Sequence, residues 1–170
     1  MSPDTAMQPL DVLAVPLDRA NLIEASAGTG KTYAIASLVL RLVAERGVRI
    51  DRILVVTYTK AATGELRGRI RARLAQARDA FRGAKSDDAV CRALIERARA
   101  EGDEALTRWA RRLDAAVLAF DEAAIYTIHG YCQRALAEHA FAAGEPFETE
   151  LLADESELLR EIVEDFWRLH

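Results

Sequence analysis

The chain has 170 residues, 51% of them hydrophobic and 29% charged, which is enough apolar mass for a sizeable core with an ordinary globular polar balance. Its formal net charge of −4 excludes a globally basic nucleic-acid binder, so any such surface must be local. The longest near-apolar run, residues 33–40, is far too short to span a bilayer, and the start, Met1-Ser2-Pro3-Asp4, lacks the basic and apolar regions of a signal peptide.

A soluble, cytoplasmic protein with no membrane partner is therefore expected. Cys91 and Cys132 have no second ligand at metal spacing and read as two reduced, partly buried thiols. Residues 1–20 read as a loose leader, since Pro9 and Pro16 argue against a helix. Residues 21–25, centred on Leu22-Ile23, read as a short buried strand.

The stretch that organises the chain comes next: Ala25-Ser26-Ala27-Gly28-Thr29-Gly30-Lys31-Thr32. Lying between an apolar run and a helical pattern, it has the context of a phosphate loop. Gly28 and Gly30 let the backbone curl and aim N–H groups at phosphate oxygens, and the positive end of the following helix adds to the attraction. Lys31 would reach the β and γ phosphates, and the Thr32 hydroxyl would ligate Mg²⁺. Ala25 stands where the usual first glycine would be.

From residue 31 to 45, Ala34, Ile35, Leu38, Val39, Leu42 and Val43 make one apolar helical face, and Gly47 supplies the stop. Residues 52–58 read as a fully buried parallel strand, completing an opening βαβ unit. A long helix follows over 60–81, with Ala62, Leu66, Ile70, Leu74, Ala77 and Phe81 along one stripe. Eight basic residues between Lys60 and Lys85 oppose only Glu65 and Asp79, so this face is either a local cationic patch or a solvated helical surface.

After a polar break at 83–88, helices over 89–100 and 103–120 read as an insertion hung on the sheet. Residues 124–128 give a third strand. Gly130 opens a helix to about residue 142, ended by Gly144 and Pro146. Between 145 and 165 nine acids face one base, Arg160, and Leu158, Leu159, Ile162, Val163, Phe166 and Trp167 lie at helical spacing. That pattern is an amphipathic acidic helix, read as core-facing and solvated rather than as a partner site.

Asp121-Glu122 after an apolar run has the look of a metal-binding acid pair at a strand end. The helical character of residues 108–113 favours a helix-to-strand connection instead, and that reading is preferred. Thr57-Tyr58-Thr59-Lys60 and Thr127-Ile128-His129-Gly130 place polar clusters at the ends of two strands, where hydroxyl and N–H donors suit a phosphodiester backbone. Tyr58 is suited to stacking on an unpaired base. In an open α/β sheet all three loops would lie along one carboxyl edge.

The phosphate loop, then Val55-Val56-Thr57-Tyr58-Thr59 with Ala61-Ala62, Glu65-Leu66 and Arg69-Ile70, then Thr127-Ile128-His129-Gly130-Tyr131-Cys132 resemble helicase motifs I, Ia and Ib of the UvrD/Rep-like superfamily-one helicases. The resemblance covers about residues 16–170. It implies an α/β fold, a P-loop NTPase (RecA-like) parallel sheet, incomplete here and carrying the helical insertion. Its divisions would be a leader (1–20), a βαβ part (21–82), the insertion (83–120) and a continuation of the ATP-binding domain (121–170).

By the same resemblance, Ala25, Ser26, Ala27, Gly28, Thr29, Gly30, Lys31 and Thr32 bind ATP, Lys31 and Thr32 act in catalysis, and Thr32 holds Mg²⁺. Tyr58, Thr59, Lys60, Thr127 and His129 lie on the path of single-stranded DNA. The implied whole is a helicase with nuclease activity that moves three-prime to five-prime from duplex ends. It repairs double-strand breaks by recombination, with two companion subunits in a heterotrimer. The second acid motif, arginine fingers, second motor domain and nuclease of such proteins lie downstream, so this chain is expected to bind nucleotide without being a complete motor. One departure is Asp18, which stands where the family has an adenine-reading glutamine. A reading of a different class remains beside this one: a stand-alone, non-hydrolysing nucleotide- or DNA-binding module.

Overall fold

The computed structural model describes residues 9–26, 28, 30–139 and 156–169. These fall into two compact units, residues 1–131 and 132–170.

In the first unit, helix α1 (Lys31–Ala44) starts directly after Gly30. It ends where Gly47 turns left-handed at φ 68°, with the Gly47 N–H donating to Val43 and the Val48 N–H to Leu42. This pair of bonds closes a helix C-terminus on a glycine. The buried face is wider than the expected stripe. Ala36, Leu40 and Ala44 are buried with Val39 and Val43, while Ile35 is exposed. Other helices flank α1 on more than one side, so a single stripe does not suffice.

Helix α2 (Lys60–Phe81) has the expected bounds and buries Leu66, Ile70, Leu74 and Ala77 along the expected stripe, with Ala62 exposed at its start. Helices α3 (Ala89–Ala100) and α4 (Asp103–Leu118) occupy the stretch where an insertion is expected, and they share one core with α1 and α2. Leu94, Leu113 and Phe120 are fully buried there beside Leu40, Ile70 and Leu74. Each such side chain contributes about 1.5–3 kcal/mol of burial. Trp109 stacks on Phe81 at 6.4 Å between centroids, tying α4 to the end of α2.

The sheet is a parallel pair, β1 (Val55–Thr57) and β2 (Ile125–Thr127), in the register Val55↔Ile125, Val56↔Tyr126, Thr57↔Thr127. Two expectations fail here. Residues 21–26 join no ladder, and Leu22 is 87% exposed. A strand exists only through a hydrogen-bonded neighbour, and among the described residues the sheet offers that segment none. Residues 52–58 are not a fully buried strand either. Ile50–Arg52 form a 3₁₀ turn, and Leu54 and Val56 are about half-exposed while Ile53 is buried. Buried parallel strands need cover on both faces, and the helical layer covers one.

Phe120–Glu122 form a 3₁₀ turn between α4 and β2, the expected connection. Helix α5 (Ile128–Glu138) begins at Ile128, two residues earlier than expected, and its expected end near residue 142, with Gly144 and Pro146, lies outside the described residues.

In the second unit, helix α6 (Ser156–Leu169) has the expected amphipathic pattern. Leu159, Ile162, Val163, Phe166 and Trp167 are nevertheless each more than half exposed, so the expected core-facing packing is not observed. The expected acidic stretch over 145–155 lies outside the described residues.

Candidate phosphate-binding site

Gly28 and Gly30 have φ of 78° and 85°, and a Cβ at either would meet open space. The two glycines therefore serve backbone conformation rather than tight packing. Gly30 is the N-cap of α1 and offers no side chain, so the first-turn N–H groups of α1 have no side-chain cap. Lys31 opens the helix, and its Nζ donates to the carbonyls of Ala25 and Ser26 at 2.7 Å each. The ammonium is thus held over the loop's own backbone. Thr32 is half-buried at the second helical position, and Ala27 and Thr29 lie outside the described residues.

A cleft of about 570 Å³ lies on this loop. Ala25, Ser26, Gly30 and Lys31 line one part of it, and Leu10, Val12, Ile23, Tyr33 and Ala34 supply apolar lining, with Glu24 also on the wall. Left-handed glycines, an uncapped helix N-terminus and a lysine together fit a polyphosphate. Among the described residues there is no group of three or more His, Cys, Asp or Glu that would hold a metal.

Among the described residues of the expected leader, Leu10 and Val12 belong to this wall, and residues 11–15 are held rather than loose. Asp11 caps a turn at residues 11–15, and Arg41, only 5% exposed, donates to the carbonyls of Val12 and Val15 at 2.6 and 2.8 Å. Arg41 also pairs with both oxygens of Glu45, at 2.8 and 2.9 Å. Arg97 from α3 joins Glu45 at 3.1 Å and the Leu13 carbonyl at 3.0 Å. Only the i,i+4 spacing of Arg41 and Glu45 hinted at this in the sequence. Asp18, by contrast, lies 3.8 Å from Arg46, beyond the far end of α1, and is not among the residues lining the cleft.

At the sheet edge, the last residues of both strands lie opposite each other, Thr57 beside Thr127. The Thr59 hydroxyl accepts from the Ala62 N–H at 3.1 Å and caps α2. Thr127 does the same for α5, accepting from the Gly130 N–H at 3.0 Å. Thr57 and Thr63 share a hydrogen bond of 2.6 Å that ties the strand end to the helix. Tyr58 is 86% exposed, and Lys60 and His129 are exposed in the first turns of α2 and α5. The structure thus places Thr57, Tyr58, Thr59, Lys60, Thr127 and His129 at the ends of neighbouring strands. The phosphate loop does not follow a strand of this sheet, so two of the three loops, not three, share its carboxyl edge.

The arginines of α2 are engaged within the fold. Arg69 pairs with Glu65, Arg71 with Asp121, Arg73 with Asp88 and Arg78 with Asp79, and Arg82, just past the helix, pairs with Asp114. Arg67 donates to the Ala123 carbonyl at 3.1 Å. This answers the choice left by the sequence: the stripe is largely neutralised. Asp121 is exposed and bound to Arg71 at 3.5 Å, in a turn and not on a strand. Cys91 is buried and Cys132 exposed, and neither forms a disulfide.

A family description, UvrD/REP helicase N-terminal domain, matches residues 8–168. The chain belongs to this family. It is also similar to curated RecBCD enzyme RecB subunits: 44% identical over 169 residues to that of Escherichia coli K12 and 41% over 179 residues to that of Haemophilus influenzae, covering 95% of this chain in both cases. To that of Mycobacterium tuberculosis H37Rv it is 36% identical over 144 residues, or 85% of the chain. The chain spans about one seventh of these relatives, 14%, 14% and 13% of their lengths. Among the described residues no helix is long and apolar enough to cross a membrane.

Proposed function

We propose that this chain is the nucleotide-binding, N-terminal part of a RecB-like subunit, a cytoplasmic DNA-dependent ATPase and helicase with an associated nuclease. It acts on duplex ends in recombinational break repair, beside RecC-like and RecD-like subunits of a heterotrimer. Residues 21–82 and 121–170 would form one RecA-like, P-loop ATP-binding domain interrupted by the insertion at 83–120. The observation that carries this reading is the pair of left-handed glycines feeding the uncapped N-terminus of α1, with Lys31 held over the loop. The family match favours it over a stand-alone module.

In this reading Gly28, Gly30 and the first-turn N–H groups of α1 cradle the phosphates of ATP, Lys31 neutralises them and Thr32 orients Mg²⁺. The ion itself supplies charge neutralisation when bound. Thr59 and Thr127 accept the helix-capping bonds through their oxygens, so each hydroxyl hydrogen remains to donate to a DNA phosphate, and Tyr58 stacks on a base. Helices α1, α2 and α5 carry no acid in their first turns. That absence suits three helix N-termini meeting phosphate from outside.

The test is binding of a fluorescent ATP analogue with Mg²⁺, and DNA unwinding by the full-length protein. Lys31→Ala is expected to abolish both. Unwinding at the native rate in that variant would end the motor assignment.

A further inference from the structure

Beside the phosphate loop, groups from three helices meet in a cluster that takes no part in the proposed nucleotide or DNA contacts. Tyr33, the residue after Thr32, lies in the first turn of α1 and lines the cleft. Its hydroxyl donates to Asp88 Oδ2 at 2.9 Å, and the Arg73 guanidinium lies over its ring, 4.2 Å from the centroid. Arg73, from the middle of α2, donates through Nη2 to both Asp88 oxygens at 3.0 and 3.1 Å. Its Nε is buried with no hydrogen-bond partner. Asp88 is also the N-cap of α3, accepting from the Cys91 N–H at 2.8 Å. The Arg73 side chain is 11% exposed and that of Asp88 25%, so the pair is screened less than one in open water.

We propose that Tyr33, Arg73 and Asp88 are positioning residues that couple nucleotide occupancy of the phosphate loop to the docking of α3. The inference rests on the nucleotide-site reading above. A polyphosphate that takes the Lys31 ammonium must exchange with the Ala25 and Ser26 carbonyls that now hold it. The first turn of α1 adjusts with that exchange, and Tyr33 belongs to that turn. Through Tyr33 the adjustment reaches Asp88, which caps α3, and Arg73, which anchors α2. Coupling of this kind is reciprocal: what steadies the cap also steadies the loop.

Cys91 is the natural reporter. It is 3% exposed at the first turn of α3, and burial pushes its thiol up, so modification requires that turn to open. The experiment labels the full-length protein with a maleimide, with and without a non-hydrolysable ATP analogue and Mg²⁺, and follows Cys91 by peptide mass mapping. Nucleotide is expected to slow labelling of Cys91 about fivefold, the worth of roughly one hydrogen bond. Asp88→Ser keeps a cap for α3 but is too short to reach Tyr33 and Arg73, and it should bind nucleotide without slowing the labelling. Amide exchange over Ala89–Ala100 in the native protein gives a second readout that needs no variant.

Nucleotide binding that changes neither Cys91 labelling nor exchange in α3 would overturn the coupling while leaving the nucleotide site intact. A full nucleotide effect in Asp88→Ser would overturn the assignment to these residues. No binding of the analogue to native protein would remove the nucleotide site, and the coupling with it.

Discussion

A Cβ placed on Gly47 would lie 2.8 Å from the Cζ of Arg112. The left-handed turn that ends α1 is therefore shaped by a side chain from α4. Arg112 donates to the Ala44 and Glu45 carbonyls at 2.7 and 3.0 Å, satisfying acceptors the helix end leaves open. Gly47→Ala must adopt a positive φ and also displace that guanidinium. A loss of about 2 kcal/mol is expected in urea unfolding. In an Arg112→Ala background the same substitution should cost about 1 kcal/mol, because only the backbone term remains. Equal costs in the two backgrounds would refute the contact.

The buried pair of Arg41 and Glu45 makes a second prediction. Glu45→Ala leaves the Arg41 guanidinium desolvated with carbonyl partners alone, and about 3 kcal/mol of stability should be lost. The turn at residues 11–15 should loosen with it, since Arg41 and Arg97 hold its carbonyls and Glu45 holds both arginines. Limited proteolysis should then cut near residues 16–20 faster than in the native protein. An unchanged cleavage rate would contradict the clamp.

Thr59 separates capping from DNA contact. Thr59→Asp retains the bond to the Ala62 N–H and should leave unfolding within about 0.5 kcal/mol of native. It sets a negative charge where a phosphodiester is proposed to lie, so affinity for single-stranded DNA should fall about tenfold or more. Thr59→Ala should lose about 1 kcal/mol of stability as well. Native DNA affinity in Thr59→Asp would move the strand elsewhere.

Tyr58, 86% exposed, should be dispensable for folding. Tyr58→Ala is expected to leave the melting temperature unchanged and to weaken single-stranded DNA binding by about 1–3 kcal/mol, the worth of one stacked base. Fluorescence anisotropy with a labelled oligonucleotide measures the change.

Acid should weaken the Asp88 link. Burial alone would raise its carboxyl, but bonds from the Cys91 N–H and the Tyr33 hydroxyl and the charge of Arg73 outweigh it and hold the group below its ordinary 3.8. The folded value is thus depressed. The stability it confers is complete above the unfolded value and disappears as pH falls through the lower folded one. The difference in unfolding free energy between native protein and Asp88→Asn should be flat at neutral and mildly acidic pH and shrink below 3.8. A difference that grows on acidification would have the wrong sign for this arrangement.

Much of the helical framework was legible because its signals are local. The period of Leu66, Ile70 and Leu74 and the capping residues Thr59 and Asp88 set α2 and α3 at the expected residues, since each depends on neighbours within a turn or two. The glycine turn before α1 was legible for the same reason: Gly28 and Gly30 act through one short stretch of backbone. Strands were less so. The short apolar run Leu22-Ile23 was read as a strand like the run at 53–57, yet only the second finds a hydrogen-bonded neighbour.

By itself the sequence determined most of the helices, which follow from spacing along the chain, while its resemblance to the family's motifs supplied the residues proposed for nucleotide and DNA. Only the tertiary structure decided which of those residues share an edge. It paired Thr57 with Thr127, engaged the α2 arginines with acids of their own chain, drew Leu10 and Val12 into the wall of the cleft and set Tyr33 against Asp88 and Arg73. The physical reason is that partners distant in sequence meet only when the core has closed, and no local preference encodes which distant group arrives.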